Sequence, residues 1–373
     1  MTTKIAKIEN SLDEALNTVM GDFKIPKNKR VFLKPNLCDP CKPNSGVVTN
    51  VELVRSLIRY LKEKGVKEVS VGEGVNEVVN MNEVLRVTRF YELEKEGVRV
   101  LDLEKVERRP IKWNYGTLQL PKIIFDSFYI NIPLIKTHIQ TTITASIKNQ
   151  KGLLLSRDKK LIHRLGLHEP LAHLANAVKP DLVLVDGIWG LEGEGPSTAG
   201  KRKKVGLLIA SDNMVEADSA CAQIIGVDPK KVEHLALAEK MGVGRIRTFE
   251  GIQSLNFRPP NLRYFSRLRL KYWRNPYACT GCADATKETL KEVLNNPHKH
   301  PLAFMLLAIH VGLLGVNVLA GKNATIPKGC REERIVCVGN CTKEFAREHN
   351  LLYADGCPPP TKNVISAISE LRI

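Results

Sequence analysis

Apolar and polar positions in the first half of the chain alternate between two rhythms. KRVFLKPN (29–36) is an apolar, β-rich run. In residues 49–65, Leu53, Val54, Leu57, Ile58 and Leu61 recur at helical spacing, after a Thr-Asn start and before a Gly stop. VKEVSVGEG (66–74) reads as the next strand. Strand, helix and strand with short connections make a βαβ unit, so a parallel sheet is expected. The rhythm predicts a helix over 82–96, a strand over 98–103 and a strand running into a loop over 125–138. It continues with a helix over 169–178, strands over 181–187 and 203–211, and helices over 214–225 and 230–241.

The predicted fold class is therefore α/β. A mostly parallel sheet domain with βαβ units occupies 1–250, and a smaller cysteine-bearing α/β domain occupies 277–373. Residues 251–276, rich in arginine, aromatics and a Pro-Pro pair, read as a basic linker. Residues 301–321 contain no Asp, Glu, Lys or Arg and approach the length of a membrane span. His310, Asn317 and the glycines after residue 311 favour instead a core helix over 301–314 and a strand over 316–320, with no membrane span.

Composition adds a direction to this picture. Of 373 residues 43% are hydrophobic, enough for packed cores, and the net charge is +16. Such a charge attracts anions, whether metabolites, nucleic acid or acidic headgroups. The N-terminal stretch is amphipathic and lacks the apolar core of a signal peptide, so a cytoplasmic protein is expected. The nine cysteines then read as thiols or metal ligands rather than disulfides.

Lysines gather at strand ends. LKPN supplies Lys34 and Asn36, IKTH supplies Lys136, Thr137 and His138, and SIKNQKG supplies Lys148, Asn149 and Lys151. Loops at the carboxyl ends of parallel strands converge on the ligand crevice, so these groups suit an anionic small molecule. Asp186 ends another strand and leads into a glycine-rich segment holding Gly193 and Gly195, followed by the cations Lys201 to Lys204. It is not a phosphate-binding P-loop, because the G-K-[ST] ending is missing. Asp212, Glu216 and Asp218 open a helix. Lys34, Lys136, His138, Asp186 and Asp212 are the candidate catalytic groups. Asn36, Thr137, Lys148, Gly193 and Gly195 are the candidate substrate contacts. His163, His168 and His173, five apart, share no helical face for a metal.

The blocks VFLKPN, NIPLIKTH, SIKNQKG, DGIWGLEGEGPSTAG and ASDNMVEADSACAQIIGVDP, spread over about 28–245, resemble the prokaryotic family catalogued as domain of unknown function 362. The resemblance implies an α/β fold and frequent iron–sulfur association. It makes Lys34, Asn36, Lys136, His138, Lys148, Asp186, Gly195 and Asp212 family-pattern positions and supplies no reaction. The chain departs from members with a full ferredoxin insert, since only CTGC (279–282) stands where further cysteines would follow.

Six cysteines lie between 279 and 357. Cys279 and Cys282 form C-x-x-C, and Cys341 and Cys357 each follow a predicted strand. These four are the expected ligands of a [4Fe–4S] cluster, with structural zinc as the alternative. Cys337 falls inside a strand and Cys221 inside a helix, both expected in cores. Cys38 and Cys41 form a second C-x-x-C beside Lys34 and are candidate redox thiols. The leading expectation is an iron–sulfur redox protein with an electron-transfer partner and an anionic substrate. The alternatives are a non-redox enzyme on a phosphorylated or carboxylated metabolite and, less favoured, a basic nucleic-acid-binding protein.

Overall fold

The computed structural model describes residues 2–371 apart from 28, 76–78, 194, 197–199, 261–268, 275–277 and 279. Contacts divide the chain into two units, Met1–Pro260 and Asn261–Ile373.

The large unit is built on a nine-stranded sheet. Its strands are β1 (Thr3–Lys7), β2 (Val31–Lys34), β3 (Val69–Glu73) and β4 (Arg99–Asp102). After a separate hairpin of β5 (Arg108–Trp113) and β6 (Gly116–Pro121) come β7 (Phe128–Asn131), β8 (Leu134–His138) and β9 (Thr142–Thr144). β10 (Leu182–Gly193) and β11 (Gly200–Ser211) complete it. The order is β1-β11-β10-β7-β2-β3-β4, with β8 paired to β10 and β9 to β8. The pairs β10–β7, β7–β2, β2–β3 and β3–β4 are parallel, and β1 and β11 close one side antiparallel.

The uninterrupted apolar run of β2 has a direct cause. Phe32 packs in one hydrophobic cluster, and Val31 and Leu33 in another, so both faces of the strand are buried. The helix Val51–Glu63 covers the second cluster with Leu53, Val54, Leu57, Ile58 and Leu61. Its N-cap Asn50 accepts from the Glu52 amide.

Two strands are longer than their patterns predict. The glycine-rich segment after Asp186 is for the most part the extended half of the β10–β11 hairpin. In that hairpin Lys203 pairs with Glu192 at 3.1 Å, and the Arg202 guanidinium lies 4.8 Å over the Trp189 ring. The four-cation run is thus partly committed to the hairpin.

The small unit is a parallel sheet of β12 (Leu270–Arg274), β13 (Val316–Ala320), β14 (Ile335–Val338) and β15 (Leu352–Ala354). Val336 and Val338 pack on one face and the fully buried Cys337 on the other. The division of 251–276 as a linker needs correction. Ile252, Leu255 and Phe257 pack on the large unit's core, and Leu270–Arg274 is a strand. Residues 261–268 lie outside the described residues.

The apolar stretch forms a helix Pro301–Leu307 that continues as a π-helical turn, Ala308–Leu314, and leads into β13. It is not simply a core helix. Leu307, His310 and Val311 are buried, but Leu302 is 64% and Leu313 67% exposed, with Phe304, Met305 and Leu314 also open to solvent. Among the described residues no helix is long and apolar enough to cross a membrane.

Candidate functional site

The carboxyl ends of β2, β3 and β8 carry the charged centre of the large unit. Lys34 ends β2 fully buried, and its Nζ lies 2.9 Å from Glu73 Oε2 at the end of the adjacent β3. Burial pushes the Lys34 ammonium below its ordinary range, and Glu73 opposes that shift. Glu73 also accepts from the amides of Leu37 (3.2 Å) and Gly74 (2.9 Å). Glycine is required beside this pair: a Cβ on Gly152 would lie 1.9 Å from Glu73 Oε1 and 2.7 Å from Lys34 Nζ.

Lys136, also fully buried, donates to Asn36 Oδ1 at 3.0 Å and to the Val47 carbonyl. Its Nζ lies 3.7 Å from Cys38 Sγ. Asn36 in turn donates to Asn149 Oδ1 at 3.0 Å, so the LKPN, IKTH and SIKNQKG blocks meet at one place. Burial raises the Cys38 thiol above its ordinary value while Lys136 pulls it down. Cys38 and Cys41 are half-buried and not joined in a disulfide.

Asn149 and Lys148 stand on the one-turn helix Ser146–Asn149. Asp218, fully buried, holds the start of that turn. It accepts from the Ser146 amide and hydroxyl, each at 2.6 Å, and from the Ile147 amide at 3.0 Å. Burial raises Asp218 to about 6 against those hydrogen bonds. Lys148 is half-buried, with Thr144 Oγ1 at 3.3 Å. Burial first, then the charges of Lys151 and Lys136, hold its ammonium well below the ordinary lysine range. Lys151 Nζ meets His163 Nε2 at 2.6 Å, and the buried His163 Nδ1 has no partner. Burial, Lys151 and Lys148 keep His163 far below its ordinary value. Behind this group His234 is pushed down to about 3 by burial, His168 and Lys148, with both ring nitrogens unpartnered.

Asp186 is buried and accepts from the Asn50 amide at 2.7 Å and the Ile188 amide at 3.1 Å, tying β10 to the start of the helix Val51–Glu63. Burial raises it to about 6, and Lys136 opposes the rise. His138 Nδ1 accepts from the Gln140 and Thr141 amides and shapes the turn between β8 and β9.

Four candidates are spent or placed elsewhere. Asp212 is exposed and accepts from the Thr2 amide at 2.8 Å. It follows β11, three strand positions from β2, or about 14 Å across the sheet. The glycines serve packing: a Cβ on Gly195 would sit 2.2 Å from the Thr137 carbonyl. The Gly193 amide donates to the Arg258 carbonyl, and the Thr137 hydroxyl donates to the Gly193 carbonyl at 2.9 Å. Gly193, Gly195 and Thr137 thus lock the hairpin to β8 instead of presenting amides to a ligand.

Sequence reasoning passed over Glu73, Lys159 and the pairing of Lys151 with His163. Glu73 stands at a strand end between two glycines. Lys159, buried on the helix Ser156–Leu165, donates to the Gly74 and Val75 carbonyls and pairs with Glu104 at 3.0 Å. Lys159 and His163, four residues apart on that helix, share a face, a signal that was present in the spacing.

In the small unit the loops after β14 and β15 are neighbours. The Asn340 amide donates to the Gly356 carbonyl at 3.0 Å, and Asn340 Oδ1 accepts from the Gly356 amide at 2.7 Å. Cys282 Sγ lies 2.4 Å from where a Cβ on Gly339 would be, so this glycine admits the thiol to the loop that carries Cys341. Cys282 and Cys341 both act on the Tyr353 hydroxyl, which burial and Asp355 already raise. Cys341 is exposed, Cys357 is half-buried and Cys279 lies outside the described residues. Among the described residues no three His, Cys, Asp or Glu side chains are placed to hold a metal. Cys282 and the loop of Cys341 meet at a glycine-bounded turn, and thiols are donors that an iron–sulfur cluster or zinc takes.

A family model described as Domain of unknown function (DUF362) matches residues 31–223. The chain belongs to this family. The matched DUF362 span holds the lysine cluster described above, from Lys34 to Lys151, and Asp218. The chain is also 30% identical over 243 residues to the Thylakoid-associated protein sll1697 of Synechocystis sp. (strain ATCC 27184 / PCC 6803 / Kazusa), covering 60% of this chain and 71% of that protein.

Proposed function

We propose that this DUF362 chain binds an anionic organic molecule in the crevice of its large unit and carries a redox-active [4Fe–4S] cluster in its small unit. One observation carries the first half. Lys34, Lys136, Lys148 and Lys151 belong to one cluster, and burial together with the charges of Lys151 and Lys136 holds the Lys148 ammonium well below its ordinary range. Lysines that repel one another out of water favour an anion bound beside them. Lys148 and Lys151 are the half-buried members and the ones a ligand reaches. The test is calorimetric titration with a panel of carboxylates and phosphates, comparing the wild type with Lys148→Gln. Saturable binding that the substitution weakens is expected. Equal binding by both would overturn the reading.

Cys279, Cys282, Cys341 and Cys357 would hold the cluster, which would supply one-electron chemistry. The approach of Cys282 to the Cys341 loop supports this reading. Anaerobic preparation followed by iron, acid-labile sulfide and zinc analysis tests it. Stoichiometric zinc without sulfide would assign the thiols to a structural metal instead, and the substrate would then meet a non-redox enzyme.

The cytoplasm is the proposed compartment. A second reading is peripheral attachment to an anionic membrane. It is favoured by the open apolar side chains of 301–314, the net charge of +16 and the name of the Synechocystis relative. Co-sedimentation with phosphatidylglycerol vesicles, absent with phosphatidylcholine, is its expected signature.

A further inference from the structure

Lys148 is set apart from the other lysines of the crevice by its surroundings. Lys34 has a carboxylate partner, Lys159 has two carbonyls and Glu104, and Lys136 has an amide oxygen and a carbonyl. The contact found for Lys148 Nζ is the Thr144 hydroxyl at 3.3 Å. The charged and titratable groups acting on it come from several elements. Lys136 on β8 and Lys151 after the one-turn helix are cations, and Cys38 after β2 is a thiol. His163 and His234 face it from two further helices, and both are held neutral. Its short helix is clamped through Asp218, which fixes the backbone that carries this half-buried side chain. A lysine desolvated among other cations keeps its amine unprotonated and nucleophilic.

We propose that Lys148 forms an imine with the carbonyl carbon of a 2-oxo acid whose carboxylate pairs with Lys151. The inference rests on the anion-binding reading of the same crevice and names its substrate class. The neutral Lys148 amine adds to the carbonyl, forming the C–N bond and, after proton transfer from nitrogen to oxygen, a carbinolamine. The carbinolamine hydroxyl takes a proton from the Lys151 ammonium, which lies 2.6 Å from His163 Nε2, and leaves as water. The product is a protonated imine, and Lys151 regains its proton from solvent. The iminium then draws electrons from the neighbouring carbon.

The full-length chain is treated with glyoxylate and cyanoborohydride at pH 7, and carboxymethylated lysines are located by peptide mass mapping. Each unit by which an amine's pKa is lowered gives about tenfold more of the reactive form. Lys148 is therefore expected to label at least about tenfold faster than the exposed Lys24 and Lys299. Formaldehyde, which has no carboxylate, is expected to show less preference for Lys148 than glyoxylate. Labelling of Lys148 no faster than the reference lysines would overturn the proposal. Calorimetry with oxalate separates the two readings. Oxalate binding without Lys148 labelling removes the imine and leaves the anion site. Neither binding nor labelling removes both.

Discussion

The lysine cluster of the large unit and the thiol loops of the small unit solve the placing of reactive groups in opposite ways. Lys34 and Glu73 stand at the ends of buried strands and Lys136 in the middle of one, and each is fixed by hydrogen bonds before any ligand arrives. Cys341 is exposed and Cys357 half-buried, on loops joined through Asn340 and Gly356. A buried charge without partners is expensive, so the fold itself must hold it. A neutral thiol carries no such cost, and its final placement can wait for a metal. The lysine cluster is therefore coupled to the stability of its unit, and under the proposed cluster ligation the thiol loops would be coupled to their metal.

The largest test of that contrast is Lys34→Met, which leaves Glu73 buried and unpaired. A loss of about 3–5 kcal/mol in urea unfolding is expected. The double variant with Glu73→Leu should recover much of it, whereas Cys282→Ser with Cys341→Ser should leave the large unit's transition in place. A Lys34→Met cost no greater than that of Lys24→Met would erase the distinction.

Next comes pH. Asp186 is raised to about 6 in the folded state from an ordinary 3.8, so folded protein holds this proton more tightly than unfolded chain. The sign follows: stability from this group is present at low pH and falls as pH rises from about 4 to about 6. Relative to Asp186→Asn, the wild type should lose about 3 kcal/mol across that window, measured by denaturant midpoints. A difference that stays flat with pH would show an ordinary carboxylate. Asp218→Asn is expected to cost about 2 kcal/mol, because its two oxygens face three donors and an amide nitrogen cannot accept. Smallest is Lys136→Met, expected to weaken anion binding about tenfold, or about 1.4 kcal/mol. Equal affinity in the two proteins would take Lys136 out of the site's field.

Much of this arrangement was legible in the chain. Strands buried on both faces print continuous apolar runs, and β2 was visible for that reason. LKPN, IKTH and SIKNQKG stood out because lysine directly after an apolar strand is unusual, and the fold brings all three to Asn36, Asn149 and Lys136. Glu73 was hidden, since its partner is 39 residues away and no local spacing links them. Asp212 misled because it shares a segment with Asp218, and only the sheet order shows that it lies off to one side. The glycines after Asp186 suggested an open loop. Their real constraint is close packing against Thr137 and Arg258, which sequence spacing does not express.

The side chains of Leu302, Met305 and Leu313, left in water on a protein of net charge +16, make salt act in two directions. At low ionic strength like charges hold copies apart. Near 1 M a screening length of about 3 Å removes that barrier. Sulfate at the same time strengthens apolar association. Handling should reflect this: the protein is expected to stay dispersed in dilute buffer and to bind a phenyl column in ammonium sulfate. Replacing Leu302 and Leu313 by Gln should shift its elution to higher salt.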